Sequence, residues 1–220
     1  MTLERINTIR SMDDDAVSRA YGRQMARFQS GYDTSARRAH AAAPSATRVL
    51  DAATGPALLL PALASLYPEA TLTALDISPH MIERARETLC AAGVEGRVQL
   101  VHGSVYELPF EHGQFDLVIA SQLIHMLDDL PGFLREARRV LAPGGTLMLF
   151  DFRRDVPAWY RLVANASTSV LHALRVPMDG MGPVIRAAYT PAELESALRG
   201  CGFEDITIES GIAALTVEAR

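Results

Sequence analysis

The sequence predicts an α/β protein organised around a doubly wound, mostly parallel sheet of seven strands. Five short apolar runs, each ending near a small or acidic residue, alternate with stretches of helical spacing. The runs are apolar almost throughout, which is typical of strands that are buried on both faces of a parallel sheet. Strand, helix and strand in repeated order predict right-handed crossovers, with helices on both faces of the sheet.

The apolar runs are the predicted parallel strands, and helices are predicted between them. Pro79–Ala92 has proline at a first helical position and Gly93 just past its end. Leu130–Leu141 has apolar residues at helical spacing and stops at Pro143–Gly145, a strong breaker. The residues before the first strand predict two further helices. The five strands are Arg48–Ala53, Thr71–Ile77, Arg97–His102, Phe115–Ser121 and Gly145–Asp151.

Beyond the fifth strand the pattern changes. Val156–Val176 is predicted to be helical, and a segment rich in glycine and proline, Met178–Pro183, follows it. Thr190 is a predicted N-cap because proline follows it directly and glutamate stands three residues on. The helix that it starts is predicted to run to about Arg199.

The end of the chain predicts a hairpin that completes the sheet. Glu204–Ser210 and Ala213–Ala219 are two predicted strands around Gly211, at one edge of the sheet. With 220 residues, the chain fits a single domain with a lid.

Composition restricts the function classes. The formal net charge of −5 and the pI of about 5.7 argue against a broad nucleic-acid surface, which is normally basic. The apolar run 57–66 is too short to span a membrane and contains Pro61. The N-terminal residues are charged throughout, without the apolar centre of a signal peptide. We therefore predict a cytoplasmic protein without a membrane span and without a nucleic-acid partner. The sequence leaves the oligomeric state open.

Two cysteines, Cys90 and Cys201, stand outside any CxxC or Cys/His cluster. The sequence therefore predicts no metal site. A disulfide is possible, but reduced thiols packed in or near helices are favoured in a core of this size.

Candidate binding residues follow the strands, because ligands of open α/β sheets bind outside the carboxyl ends. The turn Asp51–Ala57 offers small residues for close backbone approach, although a tight turn without a ligand is the alternative. Asp76 ends the second strand and is placed to accept hydrogen bonds from ribose hydroxyls. Its alternative role is a helix cap, which Ser78 already supplies. Gly103–Val105, Ser121–His125 and Asp151–Arg154 follow the remaining strands.

Five segments together resemble one enzyme family. They are VLDAATG, LTALDISPHMIERARE, VHGSVYELPFEHGQFDLVIASQLIHML, FLREARRVLAPGGTLMLFD and YTPAELESALRGCGFEDITIES. In this order and spacing they are similar to class I S-adenosylmethionine-dependent methyltransferases with a Rossmann-like fold. Among these enzymes they are similar to the small-molecule branch that includes the ubiquinone/menaquinone C-methyltransferases.

The resemblance implies a division of the chain. Residues 1–44 would form a helical cap, 45–154 the cofactor-binding core, 155–189 a substrate lid, and 190–220 the last helix and strand pair. The N-terminal helices would close over the cofactor, with Tyr21 and Tyr32 as contacts. The lid would cover the acceptor with apolar and aromatic side chains, although most of these are expected to pack between helices. They include Trp159, Tyr160, Leu162, His172, Met178, Met181 and Tyr189.

The resemblance also implies roles for single residues toward S-adenosyl-L-methionine and its product S-adenosyl-L-homocysteine. Asp76 would hold the ribose, Ile77 and Met81 would pack on the adenine, and Ser121 and Gln122 would line the methyl end. Two departures stand out, since Ala53 and Ala57 replace family glycines and Ser104 replaces an acidic residue. The cofactor-binding set is Asp51, Ala53, Thr54, Gly55, Asp76, Ile77, Met81, Gly103, Ser104, Val105, Ser121 and Gln122.

His125 and Gln122 are the candidate catalytic residues. Methyl transfer needs donor and acceptor held in line, and a general base assists when the acceptor is a hydroxyl or an acidic carbon. His125 is the candidate base, and a packing role in the apolar string LIHML is slightly favoured over it. Asp151 and Arg153 could orient the acceptor.

Three functions remain open from the sequence. The first is S-adenosylmethionine-dependent methyl transfer to a small organic acceptor. The second is non-methyl chemistry on the same scaffold, such as cyclisation or elimination. The third is a non-catalytic partner protein that binds the cofactor or has lost it. The acceptor atom, oxygen, nitrogen or carbon, is not encoded in any recognisable pattern.

Overall fold

One seven-stranded sheet organises the chain, of which the computed structural model describes residues 14–173 and 180–220. The predicted strands are found within a few residues of their expected bounds. They are β1 (Arg48–Ala52), β2 (Thr71–Asp76), β3 (Val98–His102), β4 (Phe115–Ser121), β5 (Leu141–Phe152), β6 (Ile206–Ser210) and β7 (Ala214–Ala219).

The strand order is β3-β2-β1-β4-β5-β7-β6. Strands β1 to β5 are parallel, and β7 lies antiparallel between β5 and β6. The predicted doubly wound sheet with a hairpin at one edge is therefore confirmed. The chain reverses its direction of winding between β1 and β4, so a crevice is expected at the carboxyl ends of these two strands.

Helices cover both faces of the sheet, and two lie before its first strand, as predicted. A 3-10 turn, Ala26–Phe28, joins the first two helices. The helices are α1 (Asp15–Met25), α2 (Gln29–Ala42), α3 (Leu60–Leu66), α4 (Pro79–Ala91), α5 (Leu130–Val140), α6 (Ala158–Ala173), α7 (Met181–Ala187) and α8 (Pro191–Gly200).

The predicted caps explain where α4 and α8 begin. The Ser78 hydroxyl accepts a hydrogen bond from the Met81 amide at 3.3 Å. The Thr190 hydroxyl accepts one from the Glu193 amide, and the Glu193 carboxylate accepts the Thr190 amide in return. Such reciprocal capping satisfies donors that a helix start would leave unpaired.

The sheet divides the core into two apolar clusters. On one face, α2, α3 and α4 pack against β1 and β2, with Leu60, Leu63 and Leu72 fully buried. On the other face, α5 and α8 pack against β5 and β7, with Phe133 and Leu198 fully buried. Burial of large apolar side chains on both faces fixes the position of the strand ends.

The helix ends before Pro143–Gly145 as predicted, but this segment lies inside β5, which corrects the predicted strand start at Gly145. The helix ends at Val140, and Leu141 already pairs with Phe115. The register then advances two residues along β4 and five along β5 before Leu117 meets Thr146. The proline and glycines therefore form a bulge within a continuing strand.

In the described part of Met178–Pro183, Gly180 has extended backbone and Met181–Pro183 starts α7. Residues 178 and 179 lie outside the described residues, as do 174–176 of the predicted helix 156–176. Proline is tolerated in the first turn of a helix, where its missing amide costs nothing. A side chain at Gly182 would collide with Asn165 and Thr168 of α6. The glycine therefore serves close packing of the two helices.

Candidate functional site

A cavity of about 350 Å³ lies at the carboxyl ends of β1, β2 and β4, beside the switch point of the sheet. Its walls come from the loops after these strands and from α1 and α2. Most of the predicted binding residues therefore come together. The lining residues are Tyr21, Tyr32, Asp51, Ala53, Thr54, Gly55, Pro56, Leu59, Asp76, Ile77, Ser78, Met81, Ser121, Gln122, Leu123 and Met126.

Asp76, at the end of β2, accepts hydrogen bonds that hold the loop after β1 in place. One carboxylate oxygen accepts the Gly55 amide at 2.8 Å, and the other accepts the Ser78 amide at 2.9 Å. Burial raises the pKa of Asp76, and these two amides and that of Ile77 oppose that rise. A carboxylate has about four acceptor positions, so it can still accept a further hydrogen bond from a ligand.

Asp51 is the second carboxylate of the cavity and is 2% exposed. Burial raises its pKa to about 7, the Thr54 hydroxyl that donates to it at 2.7 Å lowers it, and the nearby Asp76 carboxylate raises it further. A ligand cation in the cavity would favour the ionised form of Asp51.

The two alanines that replace family glycines keep the backbone conformation of glycine. Ala53 and Ala57 have φ of 61° and 60°, and Gly55 between them has 53°. Residues with a Cβ adopt this region at a cost, so the loop follows a strained path. Ala53 lines the cavity, whereas Ala57 is fully buried in the core and is not among the lining residues. Only the methyl group of Ala53 is therefore presented to a ligand.

A second cavity of about 530 Å³ adjoins the first and shares Tyr32, Ser121 and Gln122 with it. It lies between α2 and the ends of β4, β5 and β7. Its walls carry three phenyl rings together with hydroxyl groups and one guanidinium. The lining residues are Phe28, Ser30, Gly31, Tyr32, Thr34, Ser35, Arg38, Ser121, Gln122, Phe150, Asp151, Phe152, Ala214, Leu215 and Thr216.

Gln122 and Tyr32 form the partition between the two cavities. The Gln122 side-chain amide donates to the Tyr32 hydroxyl at 3.3 Å, and its backbone amide donates to the Phe150 carbonyl at 2.7 Å. Gln122 has a φ of 55°. It is the third residue other than glycine, after Ala53 and Ala57, with a left-handed backbone conformation. Burial raises the pKa of Tyr32, so its hydroxyl stays protonated near neutral pH. Residues held in strained backbone conformations cluster at functional sites.

His125 lies beneath this partition in a 3-10 turn and is buried. Its Nδ1 lies 2.7 Å from one Asp151 carboxylate oxygen, and its backbone amide donates to the other at 3.2 Å. The Phe152 amide also donates to Asp151 at 2.7 Å. His125 is not among the described lining residues of either cavity. The structure therefore places it as a buried partner of Asp151.

Three predicted binding residues, Gly103, Ser104 and Val105, lie outside the described lining of both cavities. The Ser104 hydroxyl accepts the Tyr106 amide at 3.2 Å, and Val105 packs into the core. Their predicted cofactor role stays a prediction. Sequence reasoning missed three lining residues of the first cavity, Leu59, Ser78 and Met126. Pro56 and Leu123 also line it and stand within the predicted segments Asp51–Ala57 and Ser121–His125.

The predicted lid does not contribute to either cavity within the part of 155–189 that the structure describes. Trp159 and Leu162 of α6 are exposed, so they pack neither on a cavity nor between helices. The side chains of His172 and Met178 lie outside the described residues.

Asp15, His80 and Glu83 bring three ligand-type atoms within 4.8 Å of one another on α1 and α4. Arg19 already binds the Asp15 carboxylate at 2.9 Å, and Arg84 lies 4.0 Å from it. The Arg19 hydrogen bond lowers the pKa of Asp15. Arginine therefore supplies the positive charge at this group.

Known proteins resemble the chain in sequence and in fold. The family described as "Methyltransferase domain" matches residues 50–149. A malonyl-[acyl-carrier protein] O-methyltransferase of Legionella pneumophila is 39% identical over 143 residues, covering 64% of this chain and 49% of that protein. The ubiquinone/menaquinone biosynthesis C-methyltransferase UbiE of Desulfotalea psychrophila is 28% identical over 211 residues, covering 87% and 81%.

The fold agrees with these relatives. The structure of an O-methyltransferase family protein from Burkholderia thailandensis superposes with a TM-score of 0.74 at 20% identity, covering 94% of this chain and 60% of that one. The chain thus spans about half the length of the Legionella relative and about four fifths of the Desulfotalea relative.

Proposed function

We propose that this chain, which carries the domain of the class I S-adenosylmethionine-dependent methyltransferases, transfers a methyl group from S-adenosylmethionine to a small organic acceptor. The observation that carries the proposal is the first cavity, where Asp76 and the loop Asp51–Gly55 meet at the switch point of the sheet. The relatives named above act on small molecules or carrier-bound acids, as their names state.

The residues of the first cavity fit the cofactor. The Asp76 carboxylate retains accepting capacity beside its amide contacts, which suits a hydroxyl of a ribose. A Cβ added at Gly55 would meet no heavy atom within 4 Å, so the backbone of this residue is open to close approach. Ile77 and Met81 supply the apolar surface for an adenine ring. We retain Gly103, Ser104 and Val105 as cofactor contacts within the proposal, with Ser104 and Val105 at the adenine.

When bound, S-adenosylmethionine supplies an electrophilic methyl group on a sulfonium. The chain's own task is to hold the two reactants in line and to exclude water. We assign the partition of Gln122 and Tyr32 to this task, because it borders both cavities and its strained backbone is anchored on Phe150. Asp51 supplies negative charge to the cofactor side when it is ionised.

We place the acceptor in the second cavity, beneath α2. Phe28, Phe150 and Phe152 offer faces to a planar, largely apolar compound, and Thr34 and Arg38 offer hydrogen bonds. The domain boundaries predicted from the sequence remain part of the proposal. The described lid residues lie away from this cavity, so α2 takes over the covering role there.

His125 stays a candidate base that acts together with Asp151. An aspartate on Nδ1 fixes the orientation of the ring. If His125 takes up a proton from the acceptor, His125→Asn lowers kcat while cofactor affinity stays unchanged. A residue with only a packing role would lower the melting temperature without lowering kcat of the folded enzyme.

The proposal is tested by incubating the full chain with methyl-labelled S-adenosylmethionine and a panel of small phenols, hydroquinones and carboxylic acids. We expect S-adenosylhomocysteine to be released with at least one acceptor, and Gln122→Asn to lower this rate by about tenfold or more. Gln99→Asn, an exposed position on β3, is the matched control.

Binding of the cofactor without methyl turnover on any acceptor would favour the two alternatives, non-methyl chemistry or a non-catalytic partner. An acceptor that is chemically altered without gaining the labelled methyl group would identify the first of these. Within the described residues no helix is long and apolar enough to cross a membrane. The cytoplasmic location stays a prediction from the sequence.

A further inference from the structure

Helix α6 carries a stripe of large apolar side chains that faces solvent. Trp159, Leu162 and Val163 are 59%, 72% and 59% exposed. Their spacing places them on one face of the helix, and the exposed Ala166 continues that face by one more turn. Contiguous apolar patches of this kind mark interaction sites in soluble proteins.

The opposite face of α6 is small and polar, which is the reverse of an ordinary surface helix. Ala164 is 3% exposed, and the hydroxyls of Ser167 and Thr168 donate to its carbonyl. Helix α7 packs on this side, where the Gly182 amide donates to the Thr168 hydroxyl at 3.1 Å. The fold therefore holds the apolar face outward by tight packing on its polar face.

Another exposed apolar side chain lies beside the segment that leads into α6. Ile212, in the turn between β6 and β7, is 58% exposed. The Arg153 amide donates to the Ala213 carbonyl at 2.9 Å, and its guanidinium donates to the Gly211 carbonyl at 3.2 Å. The turn therefore lies beside the segment that leads from β5 into α6, at the edge where the second cavity takes its Phe152 wall.

We infer that this edge, formed by the α6 stripe and Ile212, docks on the surface of a lipid bilayer. Tryptophan and neighbouring tyrosine prefer the boundary between headgroups and acyl chains, and Trp159 and Tyr160 contact each other edge to face at 5.6 Å. Helices α6 and α7 contain Arg161 and Arg186 and no carboxylate, in a chain of net charge −5. These two helices therefore add no negative charge toward the negative surface of a natural bilayer.

The size of the stripe favours a bilayer over a second copy of the chain. The exposed parts of its three large side chains amount to roughly 400 Å², about half of what one partner buries in a standard protein interface. A narrow stripe on one helix suits shallow insertion parallel to a membrane surface. The inference does not rest on methyl transfer, although docking would bring the second cavity close to lipid-soluble compounds.

Trp159 is the chain's sole tryptophan, so its fluorescence reports directly on the stripe. We would titrate the full chain with vesicles of equal parts phosphatidylcholine and phosphatidylglycerol and follow emission and co-sedimentation. The expected result is a shift of emission to shorter wavelength and sedimentation with the vesicles. Leu162→Glu should weaken vesicle binding by about tenfold or more, while S-adenosylhomocysteine binding stays unchanged.

Val17→Glu is the matched control, because Val17 is an exposed valine on α1, outside this edge. It should bind vesicles like the native chain. Solvent-exposed emission that vesicles do not change would overturn the inference. Emission that is already blue-shifted without vesicles would overturn it too: dependence on protein concentration would then assign the stripe to a second copy, and independence to another segment of the chain.

Discussion

The loop around Asp76 and the outer face of α6 differ in which side chains they bury and which they expose. At the loop, a buried carboxylate is satisfied by two backbone amides, and small residues accept strained backbone to keep the cavity open. On α6, large apolar side chains face solvent and polar ones face the protein. The first arrangement serves a small polar ligand, and the second serves an extended apolar surface.

This contrast indicates that residues in energetically unfavourable positions of the unliganded fold mark the places where a ligand or a surface binds. Left-handed alanines and a buried carboxylate reduce stability when nothing is bound, and the exposed tryptophan leaves apolar surface in water. Variants in the two regions test this by measuring the free energy of unfolding and the ligand affinity that single residues determine.

The largest effect concerns Asp51 and pH. Its pKa is raised to about 7 by burial in the folded chain and is near 4 when unfolded. The folded form binds the proton more tightly, so the stability from this group is present below about pH 4 and lost as pH rises to 7. Asp51→Asn has no carboxyl group to ionise at this position. As the pH rises between these values, the free energy of unfolding of the native chain should therefore fall by roughly 2 to 4 kcal/mol relative to that of the variant. Urea unfolding at several pH values measures both free energies, and equal pH dependence in the two proteins would contradict the prediction.

The next effect concerns Asp76. Asp76→Asn replaces one accepting oxygen by a donor, which disfavours one of the two amide contacts and removes a charge-assisted bond to the ligand. Calorimetric affinity for S-adenosylhomocysteine should fall by about a hundredfold. Asp128→Asn, at an exposed aspartate, is the control and should bind as the native chain does. Equal affinities of the two variants would remove Asp76 from the site.

A smaller effect is expected at the strained alanines. Ala53→Gly should raise the free energy of unfolding by about 1 kcal/mol, because glycine adopts the φ of 61° without a Cβ clash. Ala41→Gly, in the last turn of α2, should instead lower it by about 0.5 to 1 kcal/mol. Chemical denaturation compares the two, and a loss at both positions would show that the loop is not strained.

The smallest effect belongs to the stripe on α6. Leu162→Ser should change the free energy of unfolding by less than about 0.5 kcal/mol, because the side chain is 72% exposed. Leu198→Ala, in the fully buried face of α8, should cost about 2 to 5 kcal/mol. Thermal denaturation measures both. A large loss at Leu162 would mean that the stripe packs against the protein in solution.

The sequence predicts the parts of the fold that local patterns determine. Strand β4 and the start of α4 follow from an apolar run and from Ser78 followed by proline. The bulge at Pro143–Gly145 is not predictable this way, because its conformation is set by pairing with β4. Hydrophobic spacing on α6 likewise gives the existence of a stripe but not whether it faces inward or outward.

The two cavities of the site also differ in how far the sequence predicts them. The first cavity is built from loops that directly follow strands, so motif position predicts Asp51, Gly55 and Asp76 together. The second cavity joins Phe28, just before α2, to Ala214 of β7, which are distant in the chain and meet only through the sheet order. Its location therefore required the structure.

Whether the first cavity holds the methyl donor is decided by one calorimetric titration of the full native chain with S-adenosylhomocysteine. We predict binding of one molecule per chain in the micromolar range, together with a rise in melting temperature. Absence of heat and of any thermal shift, from a protein shown by circular dichroism to be folded, would contradict this assignment.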